Sequence, residues 1–198
     1  MSKRILIEVS ARHIHLCREH LEILFGENYE LTPEKPLSQP GEFVAEERLQ
    51  VVGPRDMLHN VAILGPLRAQ TQVEITWSEA RKIGLQPPIR ESGDLAGSSA
   101  CRLVGPAGEV DLEEGVIIAK RHLHLSPIEA ADLGVENGDI VRVKVNSSER
   151  ELIFGDVVAR VNEKYSCTMH LDTDEGNAAG VTSGVTTGEI VSLLSLRR

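Results

Sequence analysis

The chain has 198 residues, 41% of them hydrophobic but only 3% aromatic, and a formal net charge of −9. That length suits one large domain or two small ones, with a core built from Val, Ile, Leu and Ala. The acidic balance argues against a nucleic-acid binder, which needs a basic footprint. No stretch approaches the roughly 20 apolar residues of a membrane span.

In chain order, RILIEVS alternates and is β-branched, which predicts a strand over residues 4–10. Its lead-in, Met1-Ser2-Lys3-Arg4, runs straight into ILIEV, far too short a run for a signal peptide. ARHIHL follows, then REHLEILFG as a short helix ending at Gly26. The polar, proline-rich ENYELTPEKPLSQPGE predicts a surface loop. EFVAEE, RLQVVG, VAILGP and TQVEIT read as short strands punctuated by Gly and Pro. SEARKIG predicts a helix with Ser78 as N-cap and Gly84 after its last turn. Residues 86–110 read as loops and turns with room for a hairpin. VIIA leads into AKRHLHL, and SPIEAADLG is a helix with Ser126 as N-cap, Pro127 at its first position and Glu129 at its third. DIVRVKV, RELIFGDVVARV, CTMHLDT and GEIVSLLSL alternate as strands, the third ending in an acidic, glycine-containing turn. The fold class is therefore mainly β with short helices, organised as one or two β-barrels.

An internal repeat runs through this pattern. A strand, then Arg-His-x-His-Leu, then a short helix occurs at residues 5–25 and again at 116–134. A weaker third copy is TQVEITWSEARKIGL. Shifted by 50 residues onto HLHLSPIEAADLGV, it lays Glu79 on Glu129, Gly84 on Gly134 and Glu74 on His124.

Four of the seven histidines sit in the two RHxHL runs. Residues i and i+2 of a strand share a face, so His13 projects with His15, and His122 with His124. Two imidazoles so placed can share a metal ion, for which zinc is the default. Ile14 and Leu123 then point to the core. Lone surface or core histidines are the alternative, but two copies in matching frames favour a ligand role. Glu74, between Val73 and Ile75, faces either solvent or a site, and the repeat favours the site. Arg68, after a Gly-Pro turn, offers a planar fork for phosphate or carboxylate, or is an exposed loop arginine. His170 is a third histidine candidate. DTDEGN resembles the start of a calcium loop but fails at its fifth and twelfth positions, Gly176 and Ser183. His20 and His59 read as surface residues. Cys17 reads as a structural thiol, and the odd, scattered set Cys17, Cys101 and Cys167 suits a reducing cytoplasm.

Taken in order, VSARHIHL, GPLRAQTQVEIT, PIRESGD, GVIIAKRHLHLSP, LGVENGDIV and MHLDTDEGNAAG resemble the PduL-type phosphate acyltransferases, also called phosphate propanoyltransferases. The resemblance runs from the first strand to about residue 180. It implies two closed β-barrels, residues 1–11 plus 120–198 forming one and residues 12–119 the other, with a dinuclear metal site between them. It implies an enzyme that interconverts propanoyl-CoA or acetyl-CoA plus phosphate with acyl phosphate plus CoA. It implies two Zn2+ per chain. One would be held by His13, His15 and Glu74 with a position left for the CoA sulfur, the other by His122, His124 and His170 with water or phosphate. Arg68 matches the family's essential arginine. For CoA, the loop with Arg90 and the EGNAAG turn with Gly176 and Asn177 are the expected contacts. Members are associated with propanediol degradation and bacterial microcompartments. Only Met-Ser-Lys precedes the predicted first strand, which favours the cytoplasm over a microcompartment lumen. A homodimer is the family-guided expectation, with no nucleic-acid or membrane partner. Two rivals use the same residues: a zinc-dependent thioester hydrolase, which would not need phosphate, and a non-catalytic metal-binding barrel.

Overall fold

The structure, a computed structural model, describes residues 4–194. The lead-in before Arg4 and the end of the GEIVSLLSL run beyond Leu194 lie outside the described residues. The first elements are β1 (Ile5–Val9), β2 (His13–His15), α1 (Arg18–Phe25), β3 (Pro33–Pro36), β4 (Phe43–Val52), β5 (Met57–Gly65) and β6 (Gln72–Glu74). Then come α2 (Trp77–Ile83), β7 (Ile89–Arg90), β8 (Ser99–Val104), β9 (Glu109–Ala119), β10 (His122–Leu125) and α3 (Pro127–Leu133). β11 (Ile140–Val145), β12 (Leu152–Val161), β13 (Thr168–Leu171), α4 (Thr173–Ala179) and β14 (Thr187–Leu194) complete the chain.

The described residues divide into two compact units. A central unit comprises Arg12–Leu37 and Gly41–Ala119; a terminal unit comprises the residues up to Ala11, Ser38–Pro40 and those from Lys120 on. Each has its own aliphatic core, around Ile14, Ile63 and Val73 in one and Ile7, Leu123 and Met169 in the other. Ser38–Pro40, which the sequence reading kept with residues 12–119, clusters with the terminal unit for a physical reason. Gln39 is buried there and exchanges two 3.3 Å hydrogen bonds with the Ser166 backbone.

The terminal unit is a closed six-stranded barrel in the order β1, β13, β10, β12, β11, β14. In the central unit, β9, β6, β2, β5, β4 and β8 pair around a second closed ring, to which β3 and β7 are appended. The two rings match step for step. The β6/β9 and β1/β13 pairs are parallel, as are β2/β5 and β10/β12, and the other pairs run antiparallel.

Among the described residues, three of the four helices start from one device. Thr76, Ser126 and Asp172 each form a capping box with the glutamate three residues on, Glu79, Glu129 and Glu175, and each helix stops at a left-handed glycine, Gly84, Gly134 or Gly180. The first arginine of each RHxHL run reaches one of these boxes. Arg12 Nη1 lies 2.8 Å from Glu79 Oε1, and Arg121 Nε lies 2.7 Å from Glu175 Oε1. The repeated arginine therefore ties its His-x-His strand to the helix that follows the neighbouring strand.

Several elements differ from the sequence expectation. Thr76, not Ser78, caps α2, because the threonine hydroxyl lies three residues before Glu79. The supposed acidic turn after His170 is the helix α4, begun by the Asp172–Glu175 box. The loop over 27–42 contains β3, whose prolines are tolerated because the strand is exposed and pairs only with β4. EFVAEE and RLQVVG are one strand. Bulges and the buried Glu47, which accepts hydrogen bonds from the Tyr29 hydroxyl and Thr32 N–H at 3.0 Å, interrupt its apolar alternation. Residues 86–110 hold β7, β8 and the start of β9, and β8 and β9 form the hairpin. His20 is half-buried, its Nδ1 2.8 Å from Thr71 Oγ1, whereas His59 is exposed.

Candidate functional site

Strand pairing builds the same three-residue cluster once in each unit. In the central unit β2 and β6 run antiparallel with His13 opposite Glu74 and His15 opposite Gln72. In the terminal unit β10 and β13 place His122 opposite His170 and His124 opposite Thr168. The ligand-type atoms of His13, His15 and Glu74 lie within 4.8 Å of one another, as do those of His122, His124 and His170. Ring centroids are 4.9 Å apart for His13 and His15 and 4.7 Å for His122 and His124. Ile14 and Leu123, between them, are fully buried. Glu74 faces the cluster, with Oε2 3.5 Å from His13 Nε2.

Protonation favours donation. Burial first, then the neighbouring His13 and Arg68, holds the His15 pKa down at about 2, against the weaker upward pull of Glu74. Burial, His122, His170 and Arg160 do the same to His124, also to about 2. Both imidazoles are therefore neutral at pH 7. Both ring nitrogens of His15 and of His124 are buried without a hydrogen-bond partner. Buried polar groups are nearly always paired, and leaving one unpaired costs about 1–3 kcal/mol. Four such atoms, two in each triad, fit a Lewis acid. His122 is oriented by the Lys120 carbonyl, 2.8 Å from Nδ1; because a carbonyl only accepts, Nδ1 carries the proton and Nε2 the lone pair. Tyr165 stacks on His124 at 4.2 Å and 8°.

Arg68 belongs to the central cluster. Its N–H donates to the Leu16 carbonyl at 2.9 Å, and Nη1 donates to Ser92 Oγ at 2.8 Å. Ser92 Oγ also accepts from Gln72 Nε2 at 2.8 Å, Gln72 Nε2 donates to Glu74 Oε1, and Gly93 N–H donates to Gln72 Oε1 at 2.7 Å. A continuous chain thus runs from Arg68 through Ser92 and Gln72 to Glu74. The sequence reading missed Gln72 and Ser92, although strand alternation puts Gln72 on the face of Glu74.

The remaining predicted residues lie elsewhere. Arg90, on β7, has Nε 3.7 Å from Asp94 Oδ2. Gly176 sits inside α4, where its N–H is used by the Asp172 carbonyl and an added Cβ would meet Val9 Cγ2 at 2.5 Å. It is small so that the helix packs on β1, which corrects the expectation of a turn offering free N–H groups. Asn177, one residue on, is exposed. The described cysteines are all free, and burial pushes the Cys101 thiol up to about 12, leaving it inert.

The family model for phosphate propanoyltransferase matches residues 6–182. The chain belongs to the phosphate propanoyltransferase family. Among its relatives, the phosphate propanoyltransferase of Thermotoga maritima is 51% identical over 180 residues, covering 91% of this chain and 86% of the relative. That of Shewanella putrefaciens is 50% identical over 92% of this chain and 86% of its own length, and that of Listeria monocytogenes 46% over 93% and 86%. Phosphate propanoyltransferases are acyltransferases, so the chain is an enzyme with acyl-CoA and phosphate as its substrate classes. Among the described residues no helix is long and apolar enough to cross a membrane.

His170 also had a signal within the sequence. Shifting HLDTDEGNAAG by 46 residues onto HLSPIEAADLG lays His170 on His124, Glu175 on Glu129 and Gly180 on Gly134. This fourth copy of the strand–helix unit carries its ligand-type residue two positions before the helix cap, as do Glu74 and His124.

Proposed function

We propose that the chain converts propanoyl-CoA or acetyl-CoA plus phosphate to the acyl phosphate plus CoA, reversibly, using metal held by the two triads. The observation that carries this reading is the pair of buried, neutral histidines, His15 and His124, with unpartnered nitrogens in equivalent registers of two barrels, one of them beside Arg68. His13, His15 and Glu74 would hold one ion, and His122, His124 and His170 the other. Three protein donors each is the number found at catalytic zinc, rather than the four of closed structural sites. Zinc bound there would supply positive charge for phosphate and the thioester oxygen and a soft partner for the leaving thiolate.

The chain's own residues do the rest. Arg68, fixed through its backbone to Leu16 and through Nη1 to Ser92, and with Nη2 4.0 Å from Glu42 Oε1, brings a charged guanidinium fork that suits a phosphate oxyanion. A phosphate oxygen bonds to the thioester carbon, the C–S bond breaks, and the proton of hydrogen phosphate ends on the CoA sulfur. Holding two anionic reactants together is the main barrier, and Arg68 lowers it by neutralisation and orientation. No protein nucleophile is needed, in keeping with the inert Cys101. Arg90 and Asn177, both reaching solvent, are the candidate contacts for the anionic parts of CoA.

The test is thiol release from propanoyl-CoA, with and without phosphate, on metal-quantified protein. Release that needs phosphate, with about two zinc per chain, is expected. Phosphate-independent release would replace the transferase reading by the thioester hydrolase. Bound metal with no release under either condition would leave a metal-binding barrel.

A further inference from the structure

The two triads are equivalent in register but not in charge. The central one contains a carboxylate, Glu74, whereas the terminal one is three imidazoles. The strands flanking them reverse this. Opposite Glu74 across the parallel β6/β9 pair stands Ile117, fully buried. Opposite His170 across the equivalent β1/β13 pair stands Glu8. Each centre therefore has one carboxylate at hand, inside the triad in one unit and on the next strand in the other.

Glu8 is held in place. The Ser38 hydroxyl donates to Glu8 Oε2 at 2.7 Å. Ser38 belongs to the short excursion that Gln39 anchors against Ser166, and Ser166 Oγ donates back to the Ser38 carbonyl at 3.3 Å. The same Oε2 stands 3.6 Å from His170 Nε2, a buried nitrogen without a hydrogen-bond partner. At that distance the contact is longer than a hydrogen bond, which needs about 2.7–3.2 Å. A carboxylate only accepts, so a hydrogen bond between the two would put the proton on Nε2.

We infer that Glu8 is the positioning residue of His170: it accepts the Nε2 proton, fixes the ring's tautomer and leaves Nδ1 as the atom that donates to a metal ion. This rests on the metal reading of the His122–His124–His170 triad. Glu8 plays for His170 the part that the Lys120 carbonyl plays for His122, with the opposite nitrogen freed. Outer partners of this kind change metal affinity about 10–100-fold.

The experiment is a Co2+ titration of chelator-stripped full-length protein, followed by visible absorption, for wild type, Glu8→Leu and Glu8→Gln. Glu8→Leu should weaken one of two cobalt-binding steps about 10–100-fold and leave the other unchanged. Glu8→Gln, whose amide oxygen still accepts the proton, should stay within about threefold of wild type, because the effect is a hydrogen bond rather than bulk charge. Ring-nitrogen NMR on zinc-loaded wild type should show His170 protonated at Nε2, a readout that survives if Glu8→Leu fails to fold. Unchanged cobalt binding in Glu8→Leu, a Gln variant as weak as the Leu variant, or a proton on Nδ1 of His170 would each overturn the inference. Wild-type protein that takes up no cobalt would instead overturn the metal reading itself, and the inference with it.

Discussion

Replacing Gln72 by Leu should destabilise the central barrel by an amount the structure allows to be worked out. The Gln72 side chain is 1% exposed and makes hydrogen bonds to Glu74, Ser92 and Gly93. Leucine keeps most of the volume and none of the bonds. Ser92 and Gly93 reach solvent and rehydrate, so their loss adds little. Glu74, 9% exposed, cannot, and its Oε1 loses a charge-assisted bond of about 1.5–3 kcal/mol. With a small contribution from Ser92 the total is about 2–4 kcal/mol, or on the order of 10–20 °C in Tm for a unit of this size. Urea unfolding of metal-stripped protein measures it. The cause is separable by a double-mutant cycle with Glu74→Leu, since removing both partners of a buried bond costs far less than removing one. A coupling of at least about 1.5 kcal/mol is expected; costs that add to within about 0.5 kcal/mol would refute the relay.

Further outcomes follow from the same geometry. Burial, reinforced by Asp172, raises the Glu175 pKa from its ordinary 4.5 to about 7 despite Arg121 and the Asp172 backbone. The folded state therefore holds that proton more tightly than the unfolded one. Its stabilising share is complete below about pH 4.5 and lost as pH rises through 7, so the stability of wild type relative to Glu175→Gln should fall across that window; a flat difference would contradict it. Arg68→Lys keeps the charge but loses the fork, and should raise the KM for phosphate more than that for acyl-CoA in steady-state kinetics. Arg121→Gln should cost about 1–3 kcal/mol by leaving the half-buried Glu175 unpaired, read by urea unfolding, whereas Arg121→Lys should recover part of that loss. Chelation should lower Tm and abolish thiol release, with zinc restoring both.

Elements were legible where local chemistry was self-contained. Ser126, Pro127 and Glu129 announce α3 by themselves, and the β-branched alternation of RILIEVS and DIVRVKV announces strands. Reading failed where tertiary context decided. β3 is a strand only because β4 lies beside it, and nothing within PEKP says so. α4 was hidden because Gly176 and Asn177 are poor helix formers, and packing against Val9 outweighs that. At the site, the i, i+2 spacing alone put His13 with His15 and His122 with His124. What brings Glu74 to His13, and Glu8 to His170, is strand register, which a one-dimensional reading does not contain.

The terminal barrel begins and ends far apart in the chain, and this bears on the order in which it is made. β1 pairs with β13 and β14. During synthesis it leaves the ribosome well before its partners, and the whole central barrel is completed in between. At about 5–20 residues per second, roughly 10–40 s separate the strand from its partners. For that interval Ile5, Ile7 and Val9 form an apolar, β-branched edge with nothing to bury it, a segment apt to join another nascent chain. Synthesis rate and chaperone supply should therefore govern the yield of this protein through its first strand more than through either core.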